Sequence, residues 1–400
     1  MSHPFTQLTE KRTVVLLVGS RFIRAGFAGE AVPEIQSSTS DSTWIPTQNT
    51  IYVSGSGNHA LDHRRNIKST HLTPLHLHST DLHRRRWLWS YDMLAVANSQ
   101  HQNYFDAISR HLERLLYDIY TDELLVDPKS CQVIVVDPVL FPTPLKSILT
   151  EALLHRLHAH SVVYLPEPVL SCIAAGTRNA LVVDLGWHNF TVTPVYDLRI
   201  IHNGLKSTNR AGMRLHYEMV DALGESDFGA IESLITEVCY CDELGSERPS
   251  APEDSETFST RLGVSIPNHL RHLVLEKFMF PETETPDDEE HSLLDIISEA
   301  LDTLPIDVRA TLSSSIVFTG GLANIPGLRT RILREMRGRK PGEVAAISGL
   351  GPWAGASMYS NYVARPHKTM EVRRDKYLEA VGSYPMPDWL ENIYRNPILE

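Results

Sequence analysis

Apolar residues in this chain come as short continuous runs and as helical stripes, the alternation expected of sheets covered by helices. Val14 to Val18 is an apolar run that ends at Gly19-Ser20, so it reads as a buried strand entering a tight turn, with Phe22 to Phe27 as its hairpin partner. Ala180 to Asp184 repeats the arrangement, ending at Leu185-Gly186 and followed by Phe190 to Tyr196 with β-branched residues interleaved. The recurrence suggests two related lobes, each opening with strand, turn and strand. Between them, Phe105, Ile108, Leu112, Leu115 and Ile119 fall at helical spacing and predict a helix over 102–120 with one buried stripe. Val133 to Val136 is a strand candidate. Leu145, Ile148, Leu149, Ala152 and Leu153 form a second helical stripe after Pro142 and Pro144, and Ser161 to Leu165 gives the next strand.

Three stretches break the pattern. Asp242 to Glu256 is rich in Ser, Pro, Glu and Asp, and Pro281 to Glu290 carries six acidic residues with no basic one, so both read as solvated loops. His59 to Arg86 holds six histidines and six Lys or Arg against Asp62 and Asp81, with little apolar periodicity, and reads as an exposed insertion. Its His76 and His78 lack nearby acids or thiols, which leaves a metal site poorly supported.

The 400 residues are too many for one core and suit two lobes, each burying its own interior. A net charge of −12 argues against a nucleic-acid binder that relies on overall attraction to phosphate, and makes protein partners the better expectation. Met1 to Arg12 is polar, and no run approaches the roughly 20 apolar residues needed to span a bilayer, so no membrane insertion is expected. Cys131, Cys172, Cys239 and Cys241 are too few and too irregularly spaced for a disulfide framework, and read as reduced structural thiols.

Candidate chemistry lies in glycine turns that follow strands, because backbone N–H groups can face phosphate oxygens where no side chain intrudes. Three are present: Gly19-Ser20, Asp184-Leu185-Gly186, and Thr319-Gly320-Gly321 after the strand Ser315 to Phe318. Singly, each reads more readily as a sharp turn and nothing more. Their order and neighbours add to this, because the chain resembles the actin family. Arg24-Ala25-Gly26-Phe27-Ala28-Gly29 is similar to the family's first phosphate hairpin. Glu167-Pro168-Val169-Leu170-Ser171 through Ala174-Ala175-Gly176, running into Val182-Val183-Asp184, resembles the connecting helix and second phosphate hairpin. Ala211-Gly212 with the helix after it, Ile235 to Tyr240, and Val317-Phe318-Thr319-Gly320-Gly321 with Ile325-Pro326-Gly327 resemble the adenosine-binding parts. Trp353-Ala354-Gly355-Ala356-Ser357 resembles the motif that closes the fold, and the likeness covers roughly residues 13–360.

The resemblance implies an α/β chain with the actin-like ATPase fold: ribonuclease H-like duplicated lobes with two smaller appended subdomains. It divides the sequence into a first lobe over 1–38, 87–174 and 351–400, a divergent insertion over 39–86, a second lobe over 175–210 and 286–350, and a reduced outer region over 211–285. It implies ATP or ADP as the ligand, held by Gly19, Ser20, Arg24, Asp184, Gly186, Gly212, Glu237, Gly320 and Gly321, with Glu237 where the family contacts ribose.

The chain departs from the family where hydrolysis is organised. Leu17 stands where an aspartate helps order the hydrated cation, and Arg21 replaces a glycine in the phosphate turn. Trp187 and His188 replace a second aspartate and a glycine, and Glu167 replaces the glutamine that positions water. Arg24 replaces a lysine and can still pair with phosphate. The expectation is therefore a weakened or absent magnesium site, no catalytic residues and no hydrolysis. Among family members the chain resembles the pointed-end actin-related subunit of dynactin. That implies a cytoplasmic, cytoskeletal filament-end cap that binds actin-like filament subunits and other pointed-end dynactin subunits in dynein-driven microtubule transport. A nuclear actin-related subunit of a chromatin-remodelling complex and an actin-like ATPase are the alternative readings.

Overall fold

The structure, a computed structural model, describes residues 12–38, 102–224, 228–242, 257–259, 265–281, 291–340, 342–362 and 371–381. The His-rich stretch His59 to Arg86, nearly all of the two acidic loops, and the aromatic C-terminal residues Trp389 and Tyr394 lie outside the described residues. The chain forms two compact units, one from Met1–Thr39, Tyr91–Ala174 and Leu350–Glu400, the other including Ala175–Gly349.

The first unit begins with the strands β1 (Arg12–Val18), β2 (Phe22–Phe27) and β3 (Ile35–Ser38), an antiparallel meander in which Leu17 faces Arg24 and Arg24 faces Gln36. Helix α1 (Gln102–Asp118) follows and ends in a π turn, Ile119–Glu123. Strand β4 (Cys131–Asp137), helix α2 (Thr143–Glu151) with its own π turn Ala152–Arg156, strand β5 (Ser161–Pro166) and helix α3 (Glu167–Ala174) complete the stretch. Strands β4 and β5 are buried along almost their whole length, as parallel strands covered on both faces must be. The predicted helical stripes hold at Ile108, Leu112, Ile119, Leu145, Leu149 and Leu153. The π turns widen each stripe, and Tyr120 and Leu154 are buried completely as well.

The second unit opens with the hairpin of β6 (Ala180–Leu185) and β7 (Phe190–Tyr196), then the short strands β8 (Arg199–Ile200) and β9 (Lys206–Thr208), both paired to β7. Helix α4 (Gly212–Leu223) and helix α5 (Phe228–Ser233) lead to the hairpin of β10 (Thr257–Ser259) and β11 (Ser265–Pro267). Helices α6 (Leu270–Met279), α7 (Leu293–Asp302) and α8 (Ile306–Ser313), strand β12 (Ile316–Thr319) and helix α9 (Leu328–Arg339) follow. Ser292 starts α7: its Oγ accepts the Asp295 amide at 3.2 Å and donates to the Asp295 carboxylate at 2.6 Å. Arg210 closes the C-terminus of α6 by donating from Nε to the Phe278 carbonyl at 2.6 Å. The core packs β6 and β7 against Leu215 and Met219 of α4, Ile297 of α7 and Ile332 of α9.

Returning to the first unit, helix α10 (Pro352–Tyr362) packs on α3, strand β13 (Glu371–Arg373) joins β5 antiparallel, and helix α11 (Arg374–Ala380) ends the described chain. Both units use one topology. In the first, β3-β2-β1-β4-β5 places an antiparallel meander beside strands parallel to β1. In the second, β8-β7-β6-β12 repeats the order, with a parallel bridge from Ile316 to Ala346 where a fifth strand would stand.

Two sequence motifs interlock in the first unit. The Trp353 indole is 3 % exposed, donates to the Val15 carbonyl at 3.1 Å, and lies so close to Gly26 that a Cβ there would be 2.9 Å from the ring. Ser357 accepts the Gly29 amide at 2.8 Å and donates to the Glu30 carbonyl at 2.6 Å. The small residues of the hairpin are thus required by the helix that covers it.

Candidate nucleotide site

In the first unit, the carboxyl edge of the parallel strands β1, β4 and β5 gathers the polar groups. Asp137 pairs in register with Pro166, immediately before Glu167, and Leu17 pairs with Val136, one residue before Asp137. The carboxyl edge of parallel strands is where such sheets ordinarily take ligands. The turn after β1 is tight, with the Gly19 amide donating to the Phe22 carbonyl at 2.9 Å and Ser20 buried. Arg21 lays its guanidinium over the Phe22 ring, 5.1 Å from its centroid. Leu17 packs onto the apolar cluster of Val15, Ile134 and Trp353. Arg24 donates from Nε to Gln36 Oε1 at 3.0 Å, and burial lowers its pKa while the nearby Glu167 carboxylate raises it.

This edge also holds an ion pair that the sequence pattern does not signal. Lys146 Nζ lies 2.6 Å from Asp137 Oδ2, with both side chains largely buried. Burial pushes the Asp137 pKa up and Lys146 pulls it down. Lys146 directly follows Leu145 of the apolar stripe and reads as a solvated lysine; the sequence shows an acid closing an apolar strand run, but not its pairing.

In the second unit, Asp184, Gly186, Gly212 and Gly320 come together. Asp184 pairs in register with Thr319, and a Cβ on Gly320, whose φ is +92°, would lie 2.5 Å from Asp184 Oδ1 and from the Leu185 carbonyl. Asp184 keeps part of its surface open, yet protein atoms crowd its carboxyl, and desolvation pushes its pKa up to about 6. The amides of Gly212 and Met213, the first two residues of α4, donate to the carbonyls of Gly186 at 3.2 Å and Trp187 at 2.8 Å. Those N–H groups would otherwise face an anion at the helix N-terminus. Trp187 meets the buried His216 ring edge-on at 5.8 Å, and His188 is buried beside it in sequence. Gly321 opens the turn Gly321–Asn324 with open space around it. Glu237 lies exposed in the π turn Leu234–Val238.

The glycine turns bring open backbone together with few side-chain oxygens. Open space at Gly321 leaves room for a sugar or base to approach, whereas the space a side chain would take at Gly320 is filled by Asp184 and Leu185. For a hydrated divalent ion, each unit offers little: Leu17 is apolar, Asp137 is held by Lys146, and Trp187 and His188 add no oxygen. Among the described residues, no group of three or more His, Cys, Asp or Glu is placed to hold a metal. Asp184 and Glu167, one in each unit, are the carboxylates left for a cation.

The actin family model matches residues 8–235 and 252–384, most of the chain. The chain belongs to the actin family. This actin-family member is 27% identical to Actin-related protein 2 of Oryza sativa subsp. indica over 233 residues, which are 55% of this chain and 59% of the rice protein. It is 23% identical to Actin-related protein 2 of Arabidopsis thaliana over 345 residues, 83% of this chain and 82% of that protein. To Actin-like protein 9 of Rattus norvegicus it is 22% identical over 276 residues, 65% of this chain and 67% of the relative. The mixed α/β sheets and helices described above are those of the actin fold. Among the described residues, no helix is long and apolar enough to cross a membrane. The four cysteines are free and buried, with burial pushing Cys172, Cys239 and Cys241 up to about 12.

Proposed function

We propose that this actin-family chain is a noncatalytic assembly subunit that keeps the family's nucleotide-binding backbone and has lost the cation chemistry. The observation that carries the reading is the loss of oxygen ligands: Leu17 and Trp187 stand where the family keeps acids, with Leu17 packed into the apolar cluster of Val15, Ile134 and Trp353. Hydrolysis needs an organised cation to neutralise phosphoryl charge, and Asp184 with Glu167 is too small a set to hold one. In this reading a bound ATP or ADP, contacted by Gly19, Ser20, Arg24, Asp184, Gly186, Gly212, Glu237, Gly320 and Gly321, is structural. The residues of this chain then orient and shield the nucleotide, and no proton or phosphoryl transfer is assigned to them.

The finer proposal is a cytoplasmic filament-end cap at the pointed end of dynactin, binding actin-like filament subunits and other pointed-end subunits. It rests on the eroded catalytic residues together with a basic, His-rich stretch, His59 to Arg86, where the family carries its filament-elongating insertion. The experiment is mass spectrometry of proteins co-purifying with a tagged copy at endogenous level, with nucleotide extracted from the same preparation. Dynactin filament and pointed-end subunits at near-equal stoichiometry would support the cap. Remodelling-complex subunits without dynactin would overturn it in favour of the nuclear alternative.

A further inference from the structure

The strongest feature outside the nucleotide residues is a groove on the first unit, away from the carboxyl edge of its sheet. Helices α1 and α2 end alike. Each runs into a π turn whose closing bonds, Leu124 N–H to Ile119 O at 2.8 Å and Leu157 N–H to Ala152 O at 2.9 Å, precede a residue in the left-handed region. A second bond then spans it, Val126 N–H to Tyr120 O at 3.0 Å and Ala159 N–H to Leu153 O at 2.9 Å. Helix ends of this kind usually place glycine at the left-handed position, but here Leu125 has φ +50° and His158 has φ +60°. Both residues line one groove of about 570 Å³. Backbone strain retained at two positions facing one surface is reason to look for a function there.

The groove has an apolar end and a basic end. Leu125 is 77% exposed and Tyr117 56% exposed, beside the fully buried Tyr120. At Lys129 and His158 it continues into a second depression of about 530 Å³ that includes Arg373 and Arg374. Among the described residues lining the two, Lys129, Arg156, Arg373 and Arg374 stand against Asp127 and Asp375; Arg156 is paired outside the groove with Glu151 at 3.3 Å, which leaves Lys129 and Arg374 as the cations without a carboxylate partner in an ion pair. Both acids are already engaged: Asp127 Oδ1 accepts the Lys129 amide at 3.0 Å, and Asp375 pairs with Arg373 at 3.1 Å. On a chain of net charge −12, this basic corner does not follow from composition.

We propose that this groove docks an acidic peptide segment of a partner protein, with one apolar anchor residue against Tyr117 and Leu125 and carboxylates along Lys129, Arg373 and Arg374. A short acidic segment senses local charge within a Debye length of about 8–10 Å, whereas a long polyanion would also meet the repulsion of the whole acidic chain. The apolar end has work only for a ligand that carries an apolar side chain. The proposal does not rest on the nucleotide reading.

The test is fluorescence anisotropy on the full chain with a labelled peptide Leu-Phe-Asp-Glu-Asp-Glu, its Ser-Ser-Asp-Glu-Asp-Glu counterpart, a single-stranded oligonucleotide and phosphatidylserine vesicles. The expected result is salt-sensitive binding of the anchored peptide, roughly tenfold weaker in the charge reversal Lys129→Glu with Arg373→Glu. Leu125→Gly puts the favoured residue in the left-handed position, so its melting temperature should hold or rise while the preference for the anchored peptide disappears. Absence of binding, an affinity unmoved by the charge reversal, a preference unmoved by Leu125→Gly, or tighter binding of the oligonucleotide or vesicles would each overturn the proposal.

Discussion

The backbone at Gly320 passes against the carboxylate of Asp184, so that a methyl group on Gly320 would come within 2.5 Å of Asp184 Oδ1. Two of the glycine turns picked out along the chain, far apart in sequence, are therefore one piece of structure in the second unit. The pairing of Asp184 with Thr319 across β6 and β12 fixes it.

This contact makes neighbouring glycines unequal. Gly320→Ala forces a side chain into a φ of +92° and into the Asp184 carboxylate, and should cost roughly 2–4 kcal/mol in urea unfolding. Gly321→Ala meets nothing within 4 Å and should stay within about 0.5 kcal/mol of the parent. Equal losses in the two variants would contradict the geometry.

The contrast also marks what was legible in the sequence. The hairpins β1–β2 and β6–β7 were readable because a buried hairpin of this type needs an unbroken apolar strand, a glycine and a second strand. Gly26 and Trp353 were readable as motifs, though their 2.9 Å approach explains why the motifs exist only once the fold is known. The π turns after α1 and α2 were not readable, since a wider turn shifts the stripe by one residue and leaves no compositional trace. Nor was β13, a three-residue strand whose partner β5 lies some two hundred residues earlier in the chain. In the candidate site, the glycines and Asp184 were visible as turn chemistry, while Asp137 with Lys146 was hidden because a lysine beside an apolar stripe ordinarily reaches solvent.

Asp184 should set a pH dependence of stability. Its pKa of about 6 is above the unfolded value near 3.9, so the native state holds the proton more tightly and stability falls as pH rises from about 4 to 6. Asp184→Asn removes the penalty. Chemical denaturation should show the variant up to about 3 kcal/mol more stable than the parent above pH 6, with the difference vanishing near pH 4. A difference that grew toward low pH would mean that the carboxylate is stabilised when charged.

Lys146→Met should leave Asp137 buried without its partner, at a cost of roughly 3 kcal/mol at neutral pH. The loss should shrink as pH is lowered, because a protonated Asp137 no longer needs a cation. Adding Asp137→Asn should recover much of it. A double variant no more stable than Lys146→Met alone would show that Lys146 acts through packing.

The proposed loss of cation chemistry is checked by magnesium-dependent phosphate release from ATP. The full chain, with its partners where they are needed for solubility, should release phosphate at the buffer rate, unchanged by Glu167→Ala or Asp184→Ala. Magnesium-dependent release that either substitution abolishes would contradict the account.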